Sequence, residues 1–146
     1  MDLLSALRQE LVGLDFIQTL QKTVSFLRKN VAHYSWVGVY MREGDELVLR
    51  AWDGLEATQH VRIPIGKGIC GLAAREKRTV IVGDVTTDPR YLACFPYTKS
   101  EIVVPIMKGA QVLGEIDIDS DALNAFTQQD RAFLEQVAVL LGERYV

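Results

Sequence analysis

The sequence predicts an α+β fold, in which a central, mostly antiparallel sheet of about five to six strands is packed against helices from both ends of the chain. Three observations support this prediction. Apolar residues recur at helical spacing at both ends, the period falls to two in the middle, and glycine turns join successive strands. Strands joined by hairpins pair antiparallel. The 146 residues suffice for one domain spanning residues 1–146.

Two helices are predicted at the N-terminal end. Asp2 can cap the first and Gly13 interrupts it, while Asp15 and Gln18 form the capping-box pattern that begins the second. The apolar positions are spaced by three and four residues: Leu3, Leu4, Leu7 and Leu11, then Ile17, Leu20, Val24, Leu27 and Val31. The second stripe either covers the sheet or meets another subunit, and we favour the sheet.

The middle of the chain reads as strands, four of them clear, over residues 35–42, 46–52, 59–65, 79–85, 100–107 and 111–120. Gly44–Asp45 joins the first two as a hairpin, and Lys108 to Ala110 joins the last two. GKGICGLAAREK (66–77) is a glycine-rich turn that leads into a short helix, and DPRYLACFPYTK (88–99) is an irregular loop with two prolines.

A closing helix completes the pattern. Thr127 can cap it, with Asp130 at the capping-box position. Its buried face is predicted to hold Phe133, Leu134, Val137, Ala138, Leu140 and Leu141. His33, which has no companion ligand in the sequence, is expected to be a helix-end residue.

Composition and charge exclude several classes of function. The net charge of −3 provides no basic surface for nucleic acid or anionic membrane, and no apolar run is long enough to span a bilayer. The N-terminal residues do not form a signal peptide, so a cytoplasmic protein is expected. Cysteines in that compartment rarely form structural disulfides, and Cys70 and Cys94 are too far apart to suggest a metal site. Neither a metal nor a cofactor is expected, and buried inert thiols are the default interpretation.

The acidic residues of the last two strands form a candidate site. Asp117 and Asp119 point to the same side of one strand, about 7 Å apart. A two-residue turn would put Glu101 opposite Ile118 on the wrong side, whereas a three-residue loop puts it opposite Asp117; we predict the second arrangement. Clustered carboxylates repel one another, so at least one should hold a proton and the others would suit an ammonium group. The alternative is that these aspartates face solvent or cap the following turn.

The first strand offers a candidate aromatic wall. Trp36 and Tyr40 share one strand face, and Gly38 between them is expected to leave room above the sheet. Such a wall could pack against the thioether and methyl group of a small ligand. Ordinary core packing explains the pair equally well.

The order of the elements, with the segments GKGICGLAA, GDVTTDPRY, SEIVVPI and GEIDIDS, resembles the GAF domain family over nearly the whole chain. The segments SWVGVY, RIPIGKGICG, LAC, SEIVVPI and GEIDIDS are similar to those of free methionine-(R)-sulfoxide reductases, which are GAF enzymes. The resemblance implies that Cys94 is the nucleophile and that Cys70 is a second family cysteine. The implied binding-site positions are Trp36, Tyr40, Glu101, Asp117 and Asp119. On this reading, Glu101 and Asp117 would also take part in the chemistry.

The sequence departs from the reductase pattern at two places. The family has a third cysteine just before RIPIGKG, where this chain has His60 or its neighbours. The loop that normally reads close to PGHIACD is PRYLACF here, with Phe95 in place of an aspartate. His60 and Arg90 are candidate cations for lowering the pKa of the Cys94 thiol.

The resemblance implies thiol-dependent reduction of free methionine-(R)-sulfoxide or a close analogue. Either Cys70 or a thioredoxin-type reductant would then resolve an oxidised Cys94. Two alternatives remain open: a non-catalytic GAF module that senses a small molecule or dimerises, and a redox sensor in which oxidation of Cys94 changes association. The amphipathic stripes at both ends favour a homodimer.

Overall fold

The computed structural model describes residues 1–92 and 95–145. Its helices are α1 (Leu3–Glu10), α2 (Phe16–Asn30), α3 (Gly68–Glu76) and α4 (Gln128–Arg144), with a short 3₁₀ turn at Val85–Thr87. Its strands are β1 (Trp36–Glu43), β2 (Glu46–Asp53), β3 (Arg62–Pro64), β4 (Val80–Val82), β5 (Ser100–Lys108) and β6 (Gln111–Ser120). No helix in the described ranges is both long and apolar enough to cross a bilayer.

The strands form a single six-stranded sheet in the order β3-β2-β1-β6-β5-β4, with every neighbouring pair antiparallel. The predicted α+β architecture is therefore confirmed, including the strand count. Hairpins join β1 to β2 and β5 to β6. The central pair, β1 and β6, is distant in sequence.

The helix ends follow their capping residues. The Ser5 N–H donates to the Asp2 carboxylate at 2.8 Å, and the Gln18 N–H donates to Asp15 in a complete capping box. Thr127 and Asp130 form a second complete capping box at α4. The local signals thus fixed where the long helices begin.

Two predicted strands are shorter than expected. Within the segment 59–65 only β3 is a strand, and within the segment 79–85 only β4 is a strand. After β4, Asp84 accepts hydrogen bonds from the N–H and hydroxyl of Thr86, which turns the chain into the 3₁₀ turn. Both strands lie at the edges of the sheet, where only one neighbour supplies pairing.

One face of the sheet packs against α1, α2 and α4 in an apolar core. Its fully buried helix residues are Leu7, Leu11, Leu20, Val24, Leu27, Leu134, Val137 and Leu141. The α2 stripe thus covers the sheet, as favoured above, although Ile17 at its start is 59% exposed. The other face packs against α3 and the connecting loops, and it holds the candidate site.

Candidate functional site

A tight backbone turn places Cys70 over the second face of the sheet. A Cβ added at Gly71 would lie 2.7 Å from both the Pro64 carbonyl oxygen and the Gly66 nitrogen, so only glycine fits there. The Gly71 N–H also donates to the Lys67 carbonyl at 2.9 Å. The start of α3 is thereby held against the end of β3, and Cys70, 5% exposed, is directed inward.

The acidic residues lie on the sheet beneath α3. Asp117 and Asp119 are 2% and 1% exposed, and Glu101 on the adjacent strand is 4% exposed. They share one face, so the expectation of a buried cluster is met, and the alternative of aspartates in solvent is excluded. Glu115, which the sequence analysis did not single out, is also on this face and is fully buried.

The strand register corrects one detail of the prediction. Glu101 pairs with Asp119 rather than with Asp117. The two-residue turn Gly109–Ala110 joins β5 to β6. Ile106 pairs with Gly114 but Met107 pairs with Val112, so a bulge at this point shifts the register by one residue. Glu101 therefore lies on the acidic face as predicted, but the bulge places it there and not the predicted three-residue loop.

The side chains of Cys70, Glu101 and Asp117 converge. One ligand atom from each, a thiol sulfur and two carboxylate oxygens, lie within 4.8 Å of one another. Glu101 pairs with Asp119 across the β5–β6 ladder, and Oδ2 of Asp119 accepts from the Thr98 hydroxyl at 3.4 Å. Carboxyl groups this close to one another repel when both are ionised, which favours retention of a proton in the cluster.

Burial dominates the electrostatics of this cluster. It raises the pKa of Asp117 more than hydrogen bonds from Glu101 and Cys70 and the field of His60 lower it. Burial also raises the pKa of Asp119 and Glu115 well above the ordinary values, with a further contribution from the charge of Asp117. Within the described ranges, no lysine or arginine forms an ion pair with Glu115, Asp117 or Asp119. The site is therefore an excess of buried acid.

The thiol of Cys70 shares this environment. Burial raises its pKa well above the usual range, and the charges of Asp117, Glu115 and Glu101 raise it further. Cys70 is thus a protonated thiol in the absence of a ligand. It is well placed to contact a bound molecule but is not activated as a nucleophile.

The cavity between these groups is small. It measures about 10 Å³ and is lined by Ile63, Gly68, Ile69, Cys70, Leu92, Glu101 and Asp117. A volume of this size holds about one water molecule. A larger ligand requires the covering residues, Leu92 above all, to move outward.

Trp36 and Tyr40 flank the acids without lining this cavity. Trp36 pairs with Asp119 and Tyr40 pairs with Glu115 across the β1–β6 ladder. The space above Gly38 is filled by the Trp36 ring, because an added Cβ there would lie 2.4 Å from it, which corrects the expectation of open room. The Trp36 indole donates to the Glu56 carbonyl at 3.2 Å, and the Tyr40 hydroxyl donates to that of His60 at 2.7 Å.

Cys94 lies outside the described residues, so its predicted role stays a prediction. The nearest described residues in the sequence are Leu92 and Phe95. Leu92 lines the cavity, and Phe95 is 4% exposed, with its ring 5.7 Å from Trp36 and 5.2 Å from Tyr97.

The two candidate cations have different positions. Arg90 forms an exposed ion pair with Asp88 at 2.6 Å, so it is engaged away from the buried acids. His60 lies near enough to Asp117 to lower its pKa. Of the two, His60 is the one at the site.

Two other features are separate from the acids. An open surface groove of about 750 Å³ runs beside the C-terminal half of α2, and none of its lining residues belongs to the acidic cluster. Nε2 of His33 lies 2.9 Å from the Asp130 carboxylate, so this side chain joins the segment after α2 to the first turn of α4. Neither feature contributes to the candidate site.

Comparison with known proteins is consistent with this geometry. A family model described as GAF domain matches residues 15–144. The free methionine-R-sulfoxide reductase of Escherichia coli (strain K12) is 36% identical over 126 residues, covering 86% of this chain and 75% of that protein.

Solved structures give the same result. The type II free methionine-R-sulfoxide reductase from Thermoplasma acidophilum is 40% identical, with a TM-score of 0.83 over 98% of this chain and 94% of that one. The enzyme from Neisseria meningitidis, in complex with its substrate, is 34% identical, with a TM-score of 0.91 over 97% and 85%. The chain thus belongs to the GAF domain family, and within it resembles proteins named free methionine-R-sulfoxide reductase.

Proposed function

We propose that the protein reduces free methionine-(R)-sulfoxide by thiol chemistry, with Cys94 as the nucleophile. The observation that carries the proposal is the buried cluster of Glu101, Asp117 and Asp119, which faces a second cysteine and lies beside an aromatic strand. The relatives that are free methionine-R-sulfoxide reductases by name support the same activity. The neisserial structure with its substrate supports a small-molecule ligand for this site.

The excess of buried acid suits a free amino acid. Three carboxyl groups lie together, and in the part of the chain that the structure describes no lysine or arginine forms an ion pair with either aspartate. A ligand ammonium would supply the missing positive charge and several hydrogen-bond donors. A sulfoxide within a protein chain has an amide in place of that ammonium, so the cluster selects the free amino acid.

The acids also provide the proton that the reaction needs. The Cys94 thiolate attacks the sulfoxide sulfur, and a protonated carboxyl group, Glu101 or Asp117, donates to the sulfoxide oxygen. The oxygen is transferred to the cysteine, which becomes a sulfenic acid as methionine leaves. The sulfenic acid then condenses with a thiol to form a disulfide and water.

Two thiols could supply that second step. Cys70 lines the cavity, but its raised pKa requires that a neighbouring carboxylate take its proton before it attacks. A thioredoxin-type dithiol is the external route, and it would also reduce the disulfide in either case. A cytoplasmic location and a homodimer remain predictions, the latter to be checked by light scattering.

The aromatic residues complete the proposed pocket. Trp36 and Tyr40 lie on the strand beside the acids, and Phe95 packs on Trp36. When Leu92 moves outward, the thioether and methyl group of the substrate would contact this aromatic surface.

Methionine release from methionine-(R)-sulfoxide with dithiothreitol tests the activity. We expect turnover by the wild type, none by Cys94→Ser, and unchanged turnover by Asp45→Asn, which alters an exposed carboxylate in the β1–β2 turn. N-acetylmethionine-(R)-sulfoxide, which lacks the ammonium, should react poorly. Absence of methionine release, or equal release by Cys94→Ser, would contradict the proposal; binding without turnover would indicate a sensing module instead.

A further inference from the structure

We propose that Cys70, Glu101 and Asp117 form a binding site for a zinc-class divalent cation, and that the bound cation closes the cavity to other ligands. The binding site is independent of the proposed reductase activity; only its inhibitory consequence rests on that activity. The sequence analysis expected no metal, because Cys70 and Cys94 are far apart in the chain. The three residues of this site come from α3, β5 and β6 and are brought together only by the fold.

The first observation is geometric. The three ligand atoms already lie within 4.8 Å of one another in the folded chain. Around a zinc ion with Zn–S of about 2.3 Å and Zn–O of about 2.0–2.2 Å, tetrahedral ligand atoms are about 3.4–3.7 Å apart. Side-chain rotation of the order of 1 Å closes this difference, so no strand or helix has to move.

The second observation is a group of buried carboxyl oxygens that lack hydrogen-bond partners. Both carboxylate oxygens of Glu115 are buried and lack a hydrogen-bond partner among the described residues, as do Oδ1 of Asp117 and Oδ1 of Asp119. Glu115 is fully buried and lies two residues before Asp117 on the same face of β6. Buried polar atoms without partners are rare in folded proteins. Asp117, which carries one of these atoms and is 2% exposed, lines the cavity together with Cys70.

The donor set selects the kind of cation. A thiolate with carboxylates favours zinc or cadmium over magnesium and calcium, which take oxygen ligands alone and require six or more of them. The cavity of about 10 Å³, which holds about one water molecule, is large enough for one such ion. As the metal binds, the Cys70 thiol loses its proton to solvent.

The ligands are held on rigid elements. Glu101 and Asp117 lie on the two strands that pair along their length, and Cys70 is fixed by the glycine contact at the start of α3. A site of this kind pays little ordering entropy on binding. A bound cation would occupy the carboxylates that the proposed substrate's ammonium needs, so metal and amino acid compete.

Cadmium titration tests the site, because a cadmium–thiolate bond gives an ultraviolet charge-transfer band. The chain has two cysteines, so the full-length Cys94→Ser protein reports on Cys70 alone. We expect one equivalent to bind with a thiolate band, competed by zinc and unaffected by magnesium. The band should vanish in the Cys94→Ser, Cys70→Ser double variant.

Variants of the carboxylates separate a site from simple binding to a thiol. In the Cys94→Ser background, Asp117→Asn should weaken cadmium binding by about 10- to 100-fold and Glu115→Gln by about tenfold, with Asp45→Asn unchanged. Circular dichroism checks that each variant is folded. Equal affinity in Asp117→Asn and Asp45→Asn, or a thiolate band that survives loss of Cys70, would overturn the proposal.

Inhibition by zinc in the wild-type protein is a separate measurement. If the reductase proposal holds, zinc should inhibit competitively with methionine-(R)-sulfoxide, and a chelator should reverse the inhibition. If turnover is absent while cadmium still binds through Cys70, the metal site stands and the reductase proposal fails. The two proposals are thus distinguished by different readouts.

Discussion

The two faces of the sheet are equally buried but hold opposite chemistry. On β6, Ile116 and Ile118 point toward α1, α2 and α4 and join an apolar core, while Asp117 and Asp119 point toward α3. All four residues are at most 2% exposed. The isoleucines of this strand therefore stabilise the fold, while the aspartates lower its stability and form the site. The two roles can be separated because successive side chains of a strand point to opposite faces.

The buried carboxylates differ in the same way. Asp130, on the side of the terminal helices, accepts hydrogen bonds from the Tyr34 hydroxyl at 2.8 Å and the Thr127 N–H at 2.8 Å and contacts His33. Although burial raises its pKa, these partners together lower it below the ordinary value. Glu115 has no such partner among the described residues. The structural acid Asp130 on one side is therefore satisfied, whereas the carboxyl oxygens of Glu115 on the other side are not.

The largest expected effect is on activity. Asp117→Asn removes a charge and a proton carrier from the site, and kcat/KM for methionine-(R)-sulfoxide should fall by about 10²- to 10⁴-fold. Stability should be retained or improved, because the substitution keeps the shape and removes a buried acid. Steady-state kinetics and urea unfolding measure the two quantities, with Asp45→Asn as the control. A variant that loses activity only because it unfolds would remove the distinction between the faces.

The opposite effect is expected one residue away. Ile116→Ala removes buried methyl and methylene groups from the apolar face and should lower the free energy of unfolding by about 2–5 kcal/mol. Activity per folded molecule should persist, since Ile116 points away from the acids. The matched control is Val139→Ala, because Val139 on α4 is 61% exposed and should cost less than about 0.5 kcal/mol. Equal losses in urea unfolding would contradict the assignment of the core.

The fold was predictable because its signals are local. Two capping boxes, two hairpin turns and the change of period identify elements by residues close in sequence. The edge strands were overestimated, because pairing at an edge depends on loops elsewhere. The spacing of Ile17 placed it in the apolar stripe of α2. It is exposed because the first turn of α2 precedes the part of the helix that contacts the sheet.

The site was predictable only in part. The shared face of Asp117 and Asp119 followed from the alternation of side chains along a strand. The position of Glu101 opposite them depended on a bulge, which turn lengths alone do not reveal. Its signal is Gly114, where an added Cβ would lie 2.2 Å from the Tyr40 carbonyl oxygen; an isolated glycine in a strand often marks a bulge or a close approach. Glu115 follows the same alternation as Asp117 and Asp119, and this alternation is the sequence signal that places it on the acidic face.

A smaller loss of stability should follow from removing the satisfied acid. Asp130→Ala deletes the acceptor of the Tyr34 hydroxyl and should lower the free energy of unfolding by about 1–3 kcal/mol. Because the pKa of Asp130 is lowered on folding, its contribution is present above the ordinary value of 3.8 and is lost as the pH falls below it. Urea unfolding across that range measures both effects.

A double-mutant cycle assigns this loss to the contact. Tyr34→Phe alone should cost about 1 kcal/mol, and it should cost little in the Asp130→Ala background, because the shared hydrogen bond is already gone. Additive losses would show that Tyr34 is held by packing against His33 and Phe126 rather than by the carboxylate.

The smallest effect has the opposite sign and tests the unsatisfied acid. Burial raises the pKa of Glu115 on folding, so the folded state holds its proton more tightly than the unfolded chain does. The resulting stability is complete below the ordinary value of 4.5 and is lost as the pH rises through the higher folded value. Glu115→Gln removes this dependence and should raise the free energy of unfolding at neutral pH by about 0.5–2 kcal/mol. Urea unfolding in the presence of a chelator measures the gain, and a destabilised Glu115→Gln protein with an unchanged pH profile would mean that Glu115 is satisfied in solution.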